Sequence, residues 1–286
     1  MKIAIASGKG GTGKTTLSVA LATVAEAPLM LLDCDVEEPN CHLFVKGDAY
    51  KTRAVNQLVP VVNSELCDSC GKCAELCQFN AIISIKDSGA MVFPEMCHSC
   101  GGCLAVCPTG AISEEPFQIG DVKYHKLDKE KELITGILKV GLAMAPPIIK
   151  DIQKEIKGFD GLVIMDSPPG TSCPFVTTIK SADFVIFVTE PTPFGLHDLK
   201  IAIDTINETG VPYGVVVNRM ETEENIVTEF CKDSGIDLLF QIENSRKVAE
   251  TYSQGGTLVD AIPELKDKLL NLLNTVDKKV RDGVSA

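Results

Sequence analysis

Eight residues near the start of the chain, Gly8-Lys9-Gly10-Gly11-Thr12-Gly13-Lys14-Thr15, match G-x-x-x-x-G-K-[ST], a loop built to cradle phosphates. The chemistry follows from the residue types. Glycines let backbone amides turn inward and approach phosphate oxygens, and a helix that starts at the loop's end adds its partial positive charge. Gly8, Gly10, Gly11, Thr12 and Gly13 would supply that backbone. Lys14 would neutralise the β- and γ-phosphates of ATP or ADP, Thr15 would offer its hydroxyl oxygen to Mg²⁺, and Thr16 would meet the α-phosphate.

The second constellation is made of thiols. Cys67-x2-Cys70-x2-Cys73-x3-Cys77 returns as Cys97-x2-Cys100-x2-Cys103-x3-Cys107-Pro108, within an internal repeat, CDSCGKCAELCQFNAI against CHSCGGCLAVCPTGAI. In this bacterial ferredoxin pattern three close thiolates hold one [4Fe–4S] cluster and the distant fourth belongs to the other. Cys67, Cys70, Cys73 and Cys107 would hold the first cluster, and Cys97, Cys100, Cys103 and Cys77 the second. Pairs of C-x2-C also make zinc sites, but zinc does not explain a third regular cysteine and a C-x3-C in both halves. Gln78 stands where the second half has Pro108, which bears on the local turn and removes no ligand. Cys34, Cys41, Cys173 and Cys231 are left over; Cys34 and Cys231 read most simply as small buried hydrophobes.

Elements must position these groups. Residues 2–7 form a short β-branched run before the glycine loop, 15–26 read as a helix, and 29–32 as a second strand closed by Asp33 and Asp35. Strand, loop, helix, strand implies a parallel sheet. The pattern breaks near Pro60 and resumes after Pro116, with buried-strand candidates at 162–165, 184–188, 215–217 and 238–242. A helix is expected over 265–276. The fold class is therefore α/β: a P-loop NTPase with a mostly parallel sheet flanked by helices, residues 1–60 and 116–286, interrupted by a small inserted α+β ferredoxin-like domain over 61–115. So small an insert gains folding energy from its metal.

Composition narrows the function classes. The chain has 286 residues and a formal charge of −12, which disfavours general nucleic-acid binding. No apolar stretch reaches the length of a signal peptide or membrane span, so a cytoplasmic location is expected. Twelve cysteines in a reducing compartment point to metal ligation, not disulfides.

With Lys9 just after the first loop glycine, the sequence resembles the MinD/Mrp/ParA family of deviant Walker ATPases, which includes the nitrogenase iron protein. The resemblance implies that Lys9 reaches the nucleotide of a second subunit, in a homodimer or a heterodimer with a close paralogue. It implies that Asp35 of Asp33-Cys34-Asp35 orients the attacking water, that Asp33 lies nearer the metal, and that Asp166 holds Mg²⁺. Ser167-Pro168-Pro169-Gly170 resembles the family's γ-phosphate switch, Asn218-Arg219 the strand end that reads adenine, and Glu190-Pro191-Thr192 the loop beside it. Cys173 stands where the nitrogenase iron protein has a cluster-bridging cysteine, but the partner cysteine of such a bridge has no counterpart between Pro116 and Asp160. The implied activity is Mg²⁺-dependent ATP hydrolysis coupled to electron transfer, or to metal or iron–sulfur cofactor assembly, on a client protein. The other class is a MinD-like spatial regulator with clusters as a redox sensor, which needs a lipid-binding helix that residues 265–286 support poorly.

Overall fold

The computed structural model describes residues 1–26, 28–128 and 130–284, the side chain of residue 284 excepted. Positions 27, 129, 285 and 286, all within the expected ATPase or C-terminal-helix ranges, lie outside the described residues. The chain divides into two compact units. The first takes in Met1–Thr52, Val122–Ile137 and the chain from Ile149 onward; the second takes in Arg53–Asp121 and Leu138–Ile148.

In chain order the elements begin with β1 (Lys2–Ala6), α1 (Lys14–Val24), β2 (Leu29–Asp33) and β3 (Asp48–Val62). Then come α2 (Lys72–Leu76), β4 (Ile82–Ile85), β5 (Gly89–Val92), α3 (Gly102–Val106), β6 (Ile112–Asp128), β7 (Lys131–Leu138) and α4 (Ala145–Gln153). The remainder is β8 (Leu162–Asp166), α5 (Cys173–Ile179), β9 (Phe184–Thr189), α6 (Pro193–Asn207), β10 (Tyr213–Met220), α7 (Ile226–Asp233), β11 (Leu238–Glu243), α8 (Arg246–Ser253), α9 (Leu258–Ala261) and α10 (Leu265–Val284).

Among the described residues the main sheet runs β11-β10-β9-β1-β8-β2-β7-β6-β3. The pairs of β1 with β8 and β9, of β2 with β7 and β8, and of β10 with β9 and β11 are parallel. Strands covered on both faces read as continuous apolar runs, and β2 and β9 are buried along their whole length. The apolar face of α10, carried by Leu265, Leu269, Leu272, Leu273 and Val276, closes the same core as Leu17, Leu21 and Val24 of α1.

The expected break at Pro60 is a strand. β3 runs through it, and proline is tolerated there because β3 is the last strand at the sheet's edge. The segment after the cysteines likewise begins with long strands, β6 and β7, that alternation in the sequence left unread.

The second unit contains all the repeated cysteines, and the sequence repeat is a backbone repeat. Ser69 and Ser99 both adopt left-handed conformations, φ 58° and 51°, as do Asn80 and Gly110, φ 54° and 65°. The five-residue helices α2 and α3 start from the left-handed glycines Gly71 and Gly101. The turns after Cys77 and Cys107 match as well: Asn80 N donates to Cys77 O at 3.4 Å, and Gly110 N to Cys107 O at 3.5 Å. Gln78 in place of proline therefore leaves the turn unchanged.

Candidate functional site: a phosphate pocket and two thiol-lined cavities

The first unit's site lies at the carboxyl ends of the central strands, where open α/β sheets bind ligands. The loop after β1 enters α1 at Gly13, whose φ of 99° is left-handed. A Cβ at Gly13 would lie 2.3 Å from Asn218 Nδ2, and one at Gly8 would lie 2.1 Å from the Asp198 carbonyl oxygen. Both glycines are thus fixed by close approach, the first to β10 and the second to α6. A cavity of about 290 Å³ opens over the loop, lined by Gly10, Gly11, Gly13, Lys14, Thr15, Thr16, Asp35 and Arg219 together with Glu38, Asn40, Pro169 and Tyr252.

Below this cavity the two strand-end aspartates sit side by side, because β2 and β8 pair in register at Asp33 and Asp166. Both are fully buried. Asp166 accepts from Thr15 Oγ1 at 2.6 Å and from Ser18 Oγ at 2.9 Å. Burial raises both carboxyls, while the two hydroxyls and Lys14 offset part of the cost at Asp166. Burial also raises Asp35 to about 6 and lowers Lys14. An anion in the cavity would favour the charged form of Lys14.

Lys9, Thr12, Gly8 and Asn218 do not line the cavity. Lys9 Nζ lies 3.2 Å from Glu190 Oε2, and Arg219 NH1 lies 2.6 Å from Glu190 Oε1, so one carboxylate holds two of the expected site cations within the protomer. Arg219 itself is left-handed, φ 57°. Asn218 spends its amide on the loop: Nδ2 donates to Thr12 O at 2.8 Å, while Oδ1 accepts from Arg219 N at 3.0 Å. Pro191 lines a neighbouring cavity of about 340 Å³ with Glu190, Thr192, Arg219, Glu221, Thr222 and Asn225. Arg219 is common to both cavities.

Sequence reasoning missed Tyr252, which lines the phosphate cavity, hydrogen-bonds Thr16 and stacks on Phe44 at 4.0 Å between centroids. No local motif marks it, since it arrives from α8, far along the chain. Cys41 was also passed over. Its N–H donates to Asp33 Oδ2 at 2.9 Å and its thiol lies 3.5 Å from Asp166 Oδ2. The adjacent proline and asparagine gave no hint of it.

In the second unit one cavity is lined by Cys67, Cys70, Cys73 and Cys107, and another by Cys77, Cys97, Cys100 and Cys103 with Cys73. The cysteines are free, and Cys70 and Cys100 are exposed. Ser99 N donates to Cys97 Sγ at 3.4 Å, and Gln57 Nε2 to Cys97 O at 3.0 Å. Phe79 and His98 stack at 3.4 Å over the second cavity. A tetrahedral zinc with bonds of about 2.3 Å draws its sulfurs to about 3.8 Å from one another. Each cavity instead offers the four thiols that the repeat pattern assigns to one cluster. The donor sets fit cubane clusters. Cys34 and Cys231 are buried, and Cys173 is exposed at the start of α5.

Comparison with known proteins agrees with this geometry. Residues 3–259 match the family model described as the CobQ/CobB/MinD/ParA nucleotide binding domain. An uncharacterized protein of Methanocaldococcus jannaschii, MJ0578, is 37% identical over 77% of this chain and 78% of its own. An iron-sulfur cluster carrier protein of Pyrococcus horikoshii is 26% identical over 96% of this chain and 87% of its own. In fold the chain is similar to the septum site-determining protein MinD complexed with Mg-ADP from Pyrococcus horikoshii, with TM-score 0.58 and 21% identity over 100% of this chain and 98% of that one. No helix among the described residues is long and apolar enough to cross a membrane.

Proposed function

We propose, from the premise that this chain belongs to the CobQ/CobB/MinD/ParA nucleotide-binding family, that it is an ATPase carrying two [4Fe–4S] clusters, whose nucleotide cycle gates electron transfer through them. One observation carries the reading: a cavity over the glycine loop and two cysteine-lined cavities occur in a single chain.

Lys14 meets the β- and γ-phosphates, the loop amides hold the remaining oxygens, and Thr16 with Tyr252 borders the α-phosphate. The nucleobase enters the neighbouring cavity beside Pro191 and Arg219. Asp35, at the cavity wall, orients the attacking water. Thr15, Asp33 and Asp166 would hold Mg²⁺, which supplies offsetting charge at the phosphate oxygens when bound. Lys9 leaves Glu190 to meet the nucleotide of a second subunit, a homodimer or close-paralogue heterodimer being the active form. Cys67, Cys70, Cys73 and Cys107 would hold one cluster and Cys77, Cys97, Cys100 and Cys103 the other; such clusters supply one-electron transfer.

A second reading, delivery of an iron–sulfur cofactor to a client, is favoured by the exposure of Cys70 and Cys100 and by the name of the Pyrococcus relative. Protein purified without oxygen should contain about eight irons per chain, show reduced-cluster electron paramagnetic resonance, and hydrolyse ATP. Incubation with an apo-ferredoxin separates the two readings: retained iron supports gating, and iron passed to the acceptor supports delivery. Zinc in place of iron at the eight cysteines would overturn both.

A further inference from the structure

Beneath the phosphate cavity, Asp33, Cys41 and Asp166 place two carboxylate oxygens and a thiol within 4.8 Å of one another, all buried. We propose that these three residues form a binding site for a thiophilic divalent cation of the zinc class, separate from the eight repeated cysteines and overlapping the proposed Mg²⁺ site at Asp33 and Asp166. Their position is set by the fold. In-register pairing of β2 with β8 puts the two aspartates on neighbouring strand ends. The turn after Pro39 then brings Cys41 over them, where its own N–H is tied to Asp33 Oδ2 at 2.9 Å.

One feature separates this cluster from an ordinary core hydrogen bond. A thiol donating to Asp166 accounts for Cys41 and Asp166, but Asp33 Oδ1 remains buried with no partner among the described residues. An unpaired buried oxygen of this kind costs about 1–3 kcal/mol, more if charged. A cation between the three groups would pair that oxygen and offset two facing carboxylates.

The donor set then selects the metal. Mg²⁺ and Ca²⁺ take oxygen ligands in six- or higher-fold shells, whereas one sulfur and two oxygens suit a four-coordinate zinc-class ion. Ligand atoms around such an ion stand about 3.5 Å apart. The 3.5 Å between Cys41 Sγ and Asp166 Oδ2 already meets that spacing. The fourth position falls to water or to the Thr15 hydroxyl, which already touches Asp166. On binding, the Cys41 thiol gives up its proton to solvent and the thiolate becomes the sulfur ligand.

Equilibrium dialysis of the iron-loaded, nucleotide-free chain against zinc chloride tests the site, with ¹¹³Cd nuclear magnetic resonance on the cadmium-substituted form. The wild type should bind about one zinc per chain beyond any held by the repeated cysteines, and ¹¹³Cd should report a single thiolate with oxygen ligands. Cys41→Ala and Asp33→Asn should each weaken this zinc by more than about tenfold while leaving the iron content unchanged. Cys231→Ala, which removes a buried thiol elsewhere, should not weaken it. Zinc binding that is equal in the wild type and Cys41→Ala would overturn the proposal. So would displacement of the zinc by Mg²⁺ at comparable concentration.

Discussion

At the scale of single residues, the phosphate loop is held from outside as much as from within. Asn218 reaches 206 positions back along the chain to donate to the Thr12 carbonyl. Removing that amide in Asn218→Ala should cost about 1 kcal/mol in urea unfolding, the usual net worth of such a bond. It should also weaken ATP binding by calorimetry, because the loop would have to be ordered by the ligand. Gly13→Ala should be harsher. It forces a Cβ onto a φ of 99° and into the Asn218 amide, so ATP binding should be lost with the fold retained by circular dichroism. Thiol reactivity supplies an independent check on burial. In iron-loaded protein, brief alkylation followed by mass spectrometry should label exposed Cys173 and spare Cys34, Cys41 and Cys231. Burial raises the pKa of the Cys231 thiol to about 11, so at neutral pH it holds almost no thiolate to react. Rapid labelling of Cys231 would show that α7 is not packed as described.

At the scale of elements, the legible parts of the fold were those with a local signature. β1, β2, β8 and β9 are short, largely apolar and end in aspartate or a loop, and the glycine motif marks the start of α1. β3 and β6 were not legible, because exposed and half-buried residues alternate irregularly along them and Pro60 looks like a breaker. The same contrast holds at the site. Lys14, Thr15 and the cysteines announce themselves by spacing, whereas Tyr252, Cys41 and the hold of Glu190 on Lys9 and Arg219 exist only through tertiary contact. The C-terminal helix shows what packing adds. Its apolar stripe alone is compatible with a lipid-binding helix, but Leu269 and Val276 are fully buried in the core shared with α1. Leu269→Ala should therefore destabilise the protein by about 2–5 kcal/mol, measured by chemical denaturation. Wild-type protein with ATP should stay in the supernatant when anionic liposomes are sedimented. Pelleting would mean that α10 leaves the core, and would restore the spatial-regulator reading.

At the scale of the whole molecule, the question is how a nucleotide in one unit and clusters in the other could influence each other. The chain passes between the units four times, and each passage falls inside an element: β3, β6, β7 and α4. These passages are stretches of strand or helix, a covalent route between the units. A route is not yet coupling, which requires a measured free energy. Reciprocity makes that measurement self-checking, because an effect of nucleotide on reduction implies an equal effect of reduction on nucleotide affinity. The midpoint potential of the cluster signal should shift when a non-hydrolysable ATP analogue is added. For a one-electron couple each 59 mV of shift corresponds to about a tenfold ratio of affinities between the oxidised and reduced protein. Calorimetric titration of the analogue into both redox states should return that same ratio. A shift with no matching affinity ratio would place the nucleotide's effect somewhere other than the clusters. The absence of both would mean that the two sites share a chain without sharing free energy.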